Sequence, residues 1–278
     1  AGGGKGTQMQ SAKGKPQKPV TLVKKPILKG SWHGKDAWKL ALKRLLSMVA
    51  VTVIYLIGGM LLSFESLWGR VLAAVAIVGL AVYYQYYQGM TQGQNDAAFA
   101  EIMYDRQESG RPVTEGDRAR CFHPFKGMFA ALTGALPFFV FTVAYAAMAR
   151  PMTYTLGVLP SWTEALMRQS EFGDALRYYE NVGSLGAMDI LRVIDRAMVM
   201  PLVNVFSYVS NDAALLGERL SPLFVLLAPL GYGLGYTQGK TLRDKINTGI
   251  KMGDERKKRR ERKARKQRQR SKSPERLI

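Results

Sequence analysis

Four stretches of this 278-residue chain carry no charged side chain over the length of a helix: Leu45–Phe64, Val71–Met90, Gly127–Ala149 and Leu220–Gly239. Pro222 and Pro229 interrupt the last of them. A helix needs about 20 apolar residues to cross a hydrocarbon core. A helix of that length on a soluble protein normally shows water a charged face. The stretches therefore predict an all-α polytopic membrane protein with four transmembrane helices, and they weigh against four buried helices of a soluble bundle. The mean hydropathy, −0.09, hides this because polar ends are averaged with an apolar middle.

The basic residues are distributed unevenly around these windows. Eleven Lys and Arg precede Leu45, five lie in 91–126, and seventeen follow from Lys240 onward. Arg70 alone separates the first two windows, six arginines lie between the third and fourth, and no lysine falls in either connection. Short loops rich in Lys and Arg stay on the cytosolic side. The expected topology is thus N-in and C-in, with both termini cytoplasmic and the protein multi-pass in a plasma membrane. The first apolar run comes after some forty mostly polar residues, which does not fit a cleaved signal peptide. Cys121 is the single cysteine, so no intrachain disulfide can form, and no N-x-S/T acceptor occurs. A bacterial plasma membrane fits this usage.

These boundaries organise the chain. Residues 1–30 are rich in Gly, Lys and Pro without periodicity and are expected to be a disordered basic tail. Residues 31–106 form a first transmembrane hairpin with a cytosolic helix extension, since no proline follows the second window until Pro112. A cytosolic loop (107–126) leads to the third span (127–149). An extracytoplasmic helical insertion (150–219) follows, then the fourth span (220–241) and a polybasic tail (242–278). In the insertion, Ser161 and Glu164 have the spacing of a capping box and predict a surface helix.

The segment Met188–Val209 complicates the span count, because its apolar second half follows Asp189, Arg192, Asp195 and Arg196. A charge at the bilayer centre costs about 2.5–3.5 kcal/mol on insertion scales. The segment is therefore expected to lie on the outer surface or to re-enter partway, bent at Pro201. The sharper alternative is an intramembrane ion-pair site, with Asp189–Arg192 and Arg192–Asp195 paired at i,i+3.

Two short stretches match: YYQGMT at Tyr86–Thr91 and YTQGKT at Tyr236–Thr241. Each ends an outside-to-inside span. The two hairpins could be a parallel repeat about an axis along the membrane normal, or the match could be convergence on interface chemistry, since Tyr and Gly are common at such ends. Gly231, Gly235 and Gly239 recur every fourth residue, and Gly89 and Gly93 share the spacing. Such stripes allow close helix packing, either within the chain or between copies.

Nothing in the sequence supports an enzyme. GGGKG near the start lacks the strand and helix that a phosphate-binding loop needs. Cys121 and His123 supply two ligands where structural zinc wants four. The four windows hold no carboxylate. No cofactor and no metal are expected.

The strongest functional signal is the tail, which carries Arg256, Lys257, Lys258, Arg259, Arg260, Arg262, Lys263, Arg265, Lys266, Arg268 and Arg270. It lacks an apolar face, so its affinity must come from charge. Anionic lipid headgroups, RNA or a ribosome, and an acidic protein surface are the partners that fit. Asp96, Glu101, Asp105 and Glu108 offer an acidic partner within the chain. The expected function is a non-enzymatic membrane subunit or scaffold of a larger complex whose polybasic ends engage anionic surfaces. The alternatives are a transporter or channel component with a pathway between the hairpins, and a membrane tether for ribosome or nucleic acid.

Overall fold

The computed structural model describes residues 22–150 and 187–271, except the side chains of Asn211 and of residues 269–271. The capping box at Ser161 and the helix expected after it lie outside the described residues. Eight helices are found among those described: α1 Lys35–Leu61, α2 Leu67–Glu108, α3 Glu115–Arg120, α4 Pro124–Met148, α5 Ala187–Val209, α6 Asn211–Arg219, α7 Ser221–Val225 and α8 Leu227–Ser271. No strand occurs among the described residues. By length and composition α1, α2 and α4 can each cross a membrane. A fourth crossing exists if Asp212–Arg219 and the helix after it, bent by 49°, form one span.

Helix boundaries follow local chemistry. The Ser66 hydroxyl accepts the Gly69 amide at 3.2 Å and starts α2 directly after α1 ends. α2 then runs to Glu108, well past its apolar window, and the chain turns at Gly110, whose φ of 73° suits a residue without Cβ. Thr114 and Asp117 form a reciprocal capping box on α3. His123 caps α4, with Pro124 in the first turn, where a missing N–H leaves no bond unmade. α5 is kinked at Val199 (φ −134°, ψ 22°), two residues before Pro201. Proline removes one helical donor and crowds the preceding turn.

The chain divides into two compact units, Pro26–Arg243 and Ala1–Lys25 with Asp244–Ile278. In the second unit the Val23 amide donates to Thr248 Oγ1 at 2.8 Å, and Thr248 donates to the Asp244 carbonyl. In the first unit α1 lies against α4 and α5 and touches α2 only sparsely. Its core includes Met48, Val51, Tyr55, Ile77, Ala81, Ala135, Val199, Val203, Val225 and Ala228. Large apolar side chains such as Val53, Ile57, Leu61, Leu72 and Val75 are exposed along α1 and α2. Exposure on that scale belongs on a lipid-facing surface rather than in water.

The segment expected to be disordered, 1–30, is described only from residue 22. Leu28, Gly30 and Ser31 there are bonded to α2, α3 and the link between α3 and α4. Leu28 N donates to the Ala100 carbonyl, and Gly30 N to that of Phe122, both at 3.1 Å. Ile27 and Leu28 pack on a cluster containing Ala97, Ala100, Met103 and Phe122.

Candidate functional site

Polar groups gather at two levels of the first unit, and the apolar core described above accompanies the helices between them. The first cluster stands where the apolar windows begin or end. Lys126, in the first turn of α4, is fully buried. Its Nζ donates to Asp96 Oδ2 of α2 at 2.8 Å, to Asp36 Oδ2 of α1 at 2.9 Å and to the Arg120 carbonyl of α3 at 3.4 Å. Tyr236 of α8 donates its hydroxyl to the same Asp96 oxygen at 2.6 Å, and Gln92 Nε2 serves the other oxygen at 2.8 Å. Five helices thus meet at one ammonium and one carboxylate. The Tyr236 ring stacks on Phe122 with centroids 5.4 Å apart and lies against Gly127. Removing two charges from water is costly, and only direct pairing with further hydrogen bonds offsets it.

Of the four acidic residues expected to offer the tail an internal partner, Asp96 and Glu101 are already engaged. Asp96 is held by Lys126, and Glu101 Oε2 accepts both Nε and Nη2 of Arg243, at 3.1 and 2.8 Å. Lys126 reaches α2 from the first turn of α4, and Arg243 reaches it from α8.

One step deeper, Arg44 Nη1 donates to Gln88 Oε1 at 2.6 Å, and its guanidinium lies 4.3 Å from the centre of the Tyr232 ring. Gln85 Nε2 donates to Ser47 Oγ at 2.7 Å.

The other cluster surrounds Glu218, whose side chain is 2 % exposed. Arg196 Nη2 reaches its Oε1 at 2.6 Å, and Arg192 Nε lies 3.3 Å from Oε2. Tyr145 of α4 donates to Oε2 at 2.9 Å and accepts from Arg192 Nε at 2.9 Å. Arg192 also donates to the Arg150 carbonyl. The i,i+3 pairing expected of Arg192 with Asp195 is replaced. Both arginines turn to the buried Glu218, and fully buried Asp195 accepts the Ser221 hydroxyl at 2.7 Å. Asp195 Oδ2 has no hydrogen-bond partner among the described residues. Asp189 is exposed near the start of α5.

The two YxQGxT stretches lie side by side. A Cβ on Gly235 would strike the Tyr86 carbonyl, and one on Gly89 or Gly93 would strike the carbonyl of Tyr232 or Tyr236. Gly239 meets the backbone of Gly93 and Gln94, and Gly231 meets Val82. Residue numbers rise together along the seam, so α2 and α8 run parallel there. The two glutamines differ in use: Gln88 binds Arg44, whereas Gln238 is exposed.

Cys121 and His123 take local roles. The buried thiol donates to the Asp117 carbonyl at 3.3 Å, and burial pushes its pKa up to about 11. His123 Nδ1 accepts the Phe125 amide at 3.3 Å; burial, then the charges of Lys29 and His33, hold its pKa below the usual imidazole value. No cluster of three metal-binding side chains occurs among the described residues.

On α8, every basic residue of the set from Arg256 to Arg268 is exposed; the Arg270 side chain lies outside the described residues. Compared with family models, curated proteins and solved structures, the chain matches none.

Proposed function

We propose that this chain is a non-enzymatic membrane scaffold, a subunit of a larger complex, that holds a polybasic helix against an anionic surface on the cytosolic side of a plasma membrane. The observation that carries the reading is the exposed basic run of α8, Arg256–Arg268, which presents charge on all sides and no apolar face. Such a helix binds by electrostatics, at about 1 kcal/mol per basic residue near an anionic surface. The largest buried charges, Lys126 with Asp96 and Glu218 with its arginines, are spent on one another, which suits a structural part. A transport pathway between the hairpins draws no support from the α2–α8 seam, where backbones touch at the glycines.

The test uses the full chain in neutral phosphatidylcholine nanodiscs and measures capture of phosphatidylglycerol vesicles. Capture is expected to fall steeply with salt. Replacing the eleven basic residues with glutamine is expected to weaken it by more than about tenfold, on the same per-residue scale. Undiminished capture would reject the proposal. Tighter binding of a homopolymeric RNA than of vesicles would move the assignment to a nucleic-acid tether. That is the second reading, favoured by the same exposed charge and sequence-blind because the run has no aromatic residue to stack on bases.

Orientation is tested separately. In sealed vesicles, Ser170→Cys and Arg260→Cys are expected to react with a membrane-impermeant maleimide from opposite sides. Native Cys121 should stay silent in the folded protein, because it is buried and its raised pKa leaves little thiolate at neutral pH. Labelling of both new cysteines from one side would overturn the topology.

A further inference from the structure

The sparse contact between α1 and α2 leaves a groove open to the surroundings. It has a volume of about 240 Å³ and is lined by Ser47, Ala50, Ile54 and Gly58 of α1 with Leu80 and Tyr84 of α2, among others. It exists because the two helices are drawn apart: α1 lies against α4 and α5, while α2 is locked to α8 through glycines. Small residues at Ala50, Gly58 and Ala81 then leave the space unfilled.

The groove has a direction. From Ser47 to Gly58 it covers about 16 Å at the helical rise of about 1.5 Å per residue. That matches one leaflet, half of a hydrocarbon core about 30 Å thick. Its Ser47 end lies just inside the first apolar window, which begins at Leu45. Continuing down the same face of α1, one and two turns further, are Lys43 and Lys39 at i−4 and i−8 from Ser47. Both are exposed, and neither has a partner among the described residues. The neighbouring charges are occupied: Arg44 by Gln88 and Tyr232, and Asp36 by Lys126. On the α2 side, Tyr84 and Tyr87 are exposed at the same level, where phenol rings meet lipid headgroups. An apolar slot one leaflet deep, with two unpaired ammonium groups at its mouth, has the charge and dimensions of a phospholipid.

We propose that the α1–α2 groove is a binding site for an anionic phospholipid, with one acyl chain between Ser47 and Gly58 and the headgroup phosphate between Lys39 and Lys43. An acyl chain in the slot supplies the dispersion contacts that its lining would otherwise lack. The site is separate from the α8 tail and does not depend on what the tail binds.

The test is photo-crosslinking of the full chain in phosphatidylcholine vesicles containing a small fraction of phosphatidylglycerol with a diazirine in its acyl chain. Crosslinked positions are mapped by mass spectrometry. Labels are expected within 47–58 and 77–84, about thirtyfold more than from a phosphatidylcholine probe with the same chain, given two basic residues at about 1 kcal/mol each. Lys39→Gln with Lys43→Gln should reduce that labelling to the phosphatidylcholine level while tail-dependent vesicle capture persists. Ala50→Trp, at an exposed position, should block labelling in the groove while leaving it elsewhere. Equal labelling by the two probes, or groove labelling unchanged by the lysine variants, would overturn the proposal.

Discussion

Lys126→Met is expected to destabilise the protein by about 3–5 kcal/mol, the range for removing one partner of a buried ion pair. The ammonium is fully buried and the Asp96 side chain only 8 % exposed, so neither solvent nor another cation can replace it without a rearrangement. Methionine is unbranched and only one heavy atom shorter, so the loss of charge outweighs the loss of volume. The variant leaves Asp96 charged, with only Tyr236 and Gln92 to support it. Adding Asp96→Asn removes the stranded charge and keeps an acceptor for Tyr236. The double variant is therefore expected to recover most of the loss, because breaking a buried pair is worse than replacing both members. Asp36→Asn should cost less than the single Lys126 change, since Asp36 is 32 % exposed and water can serve it. Reversible unfolding in mixed detergent micelles measures all of these. A single variant within about 1 kcal/mol of the wild type, the scale of an exposed pair, would show that the cluster is not the closed structure described above.

The sequence made the helices legible and their partners illegible. Uncharged windows announce α1, α2 and α4 directly, and the absence of proline before Pro112 allowed α2 to run on to Glu108. Lys126 was legible only as a basic residue at the entry to a span, which is what any interfacial anchor looks like. Its partners sit 30 and 90 residues away in the chain, and no periodicity connects residues at such separations. Glu218 was missed for a related reason. Arg192 had acids at i,i+3 on both sides, so a local pairing looked complete, but the buried Glu218 carboxylate on the next helix draws both Arg192 and Arg196. Its one sequence signal was its position just before the last apolar window. Residues 22–30 have the composition of a disordered tail. Their order comes from single hydrogen bonds to carbonyls such as Ala100 and Phe122, a pattern that leaves no periodic trace. The glycine spacing was legible as a stripe, but not what it would meet.

Gly235→Ala is expected to disrupt the α2–α8 seam. The added Cβ would fall on the Tyr86 carbonyl oxygen, with the Tyr86 carbonyl carbon at 2.8 Å and its Cα at 3.0 Å. These are backbone atoms inside a helix and cannot swing aside as a side chain could, so the helices themselves must separate. Overpacking of this kind costs about 1–3 kcal/mol, and more where the backbone must move. Separation also propagates: Tyr236, one residue on, anchors its hydroxyl on Asp96, so a shift of α8 lengthens that bond and weakens the Lys126 cluster. Gly231→Ala should be milder, because its Cβ would stand 3.0 Å from Val82 Cγ1 and from the Val82 carbonyl oxygen. Gly79→Ala supplies the control within α2. Nothing lies within 4 Å of a Cβ there. Alanine should then be neutral or stabilising by about 0.5–1 kcal/mol, through the helix preference alone. The expected order of stability is thus Gly79→Ala above wild type or equal to it, then Gly231→Ala, then Gly235→Ala, read from thermal unfolding in one detergent. If Gly235→Ala unfolds with Gly79→Ala, the two backbones do not touch, and the glycine spacing has some other cause.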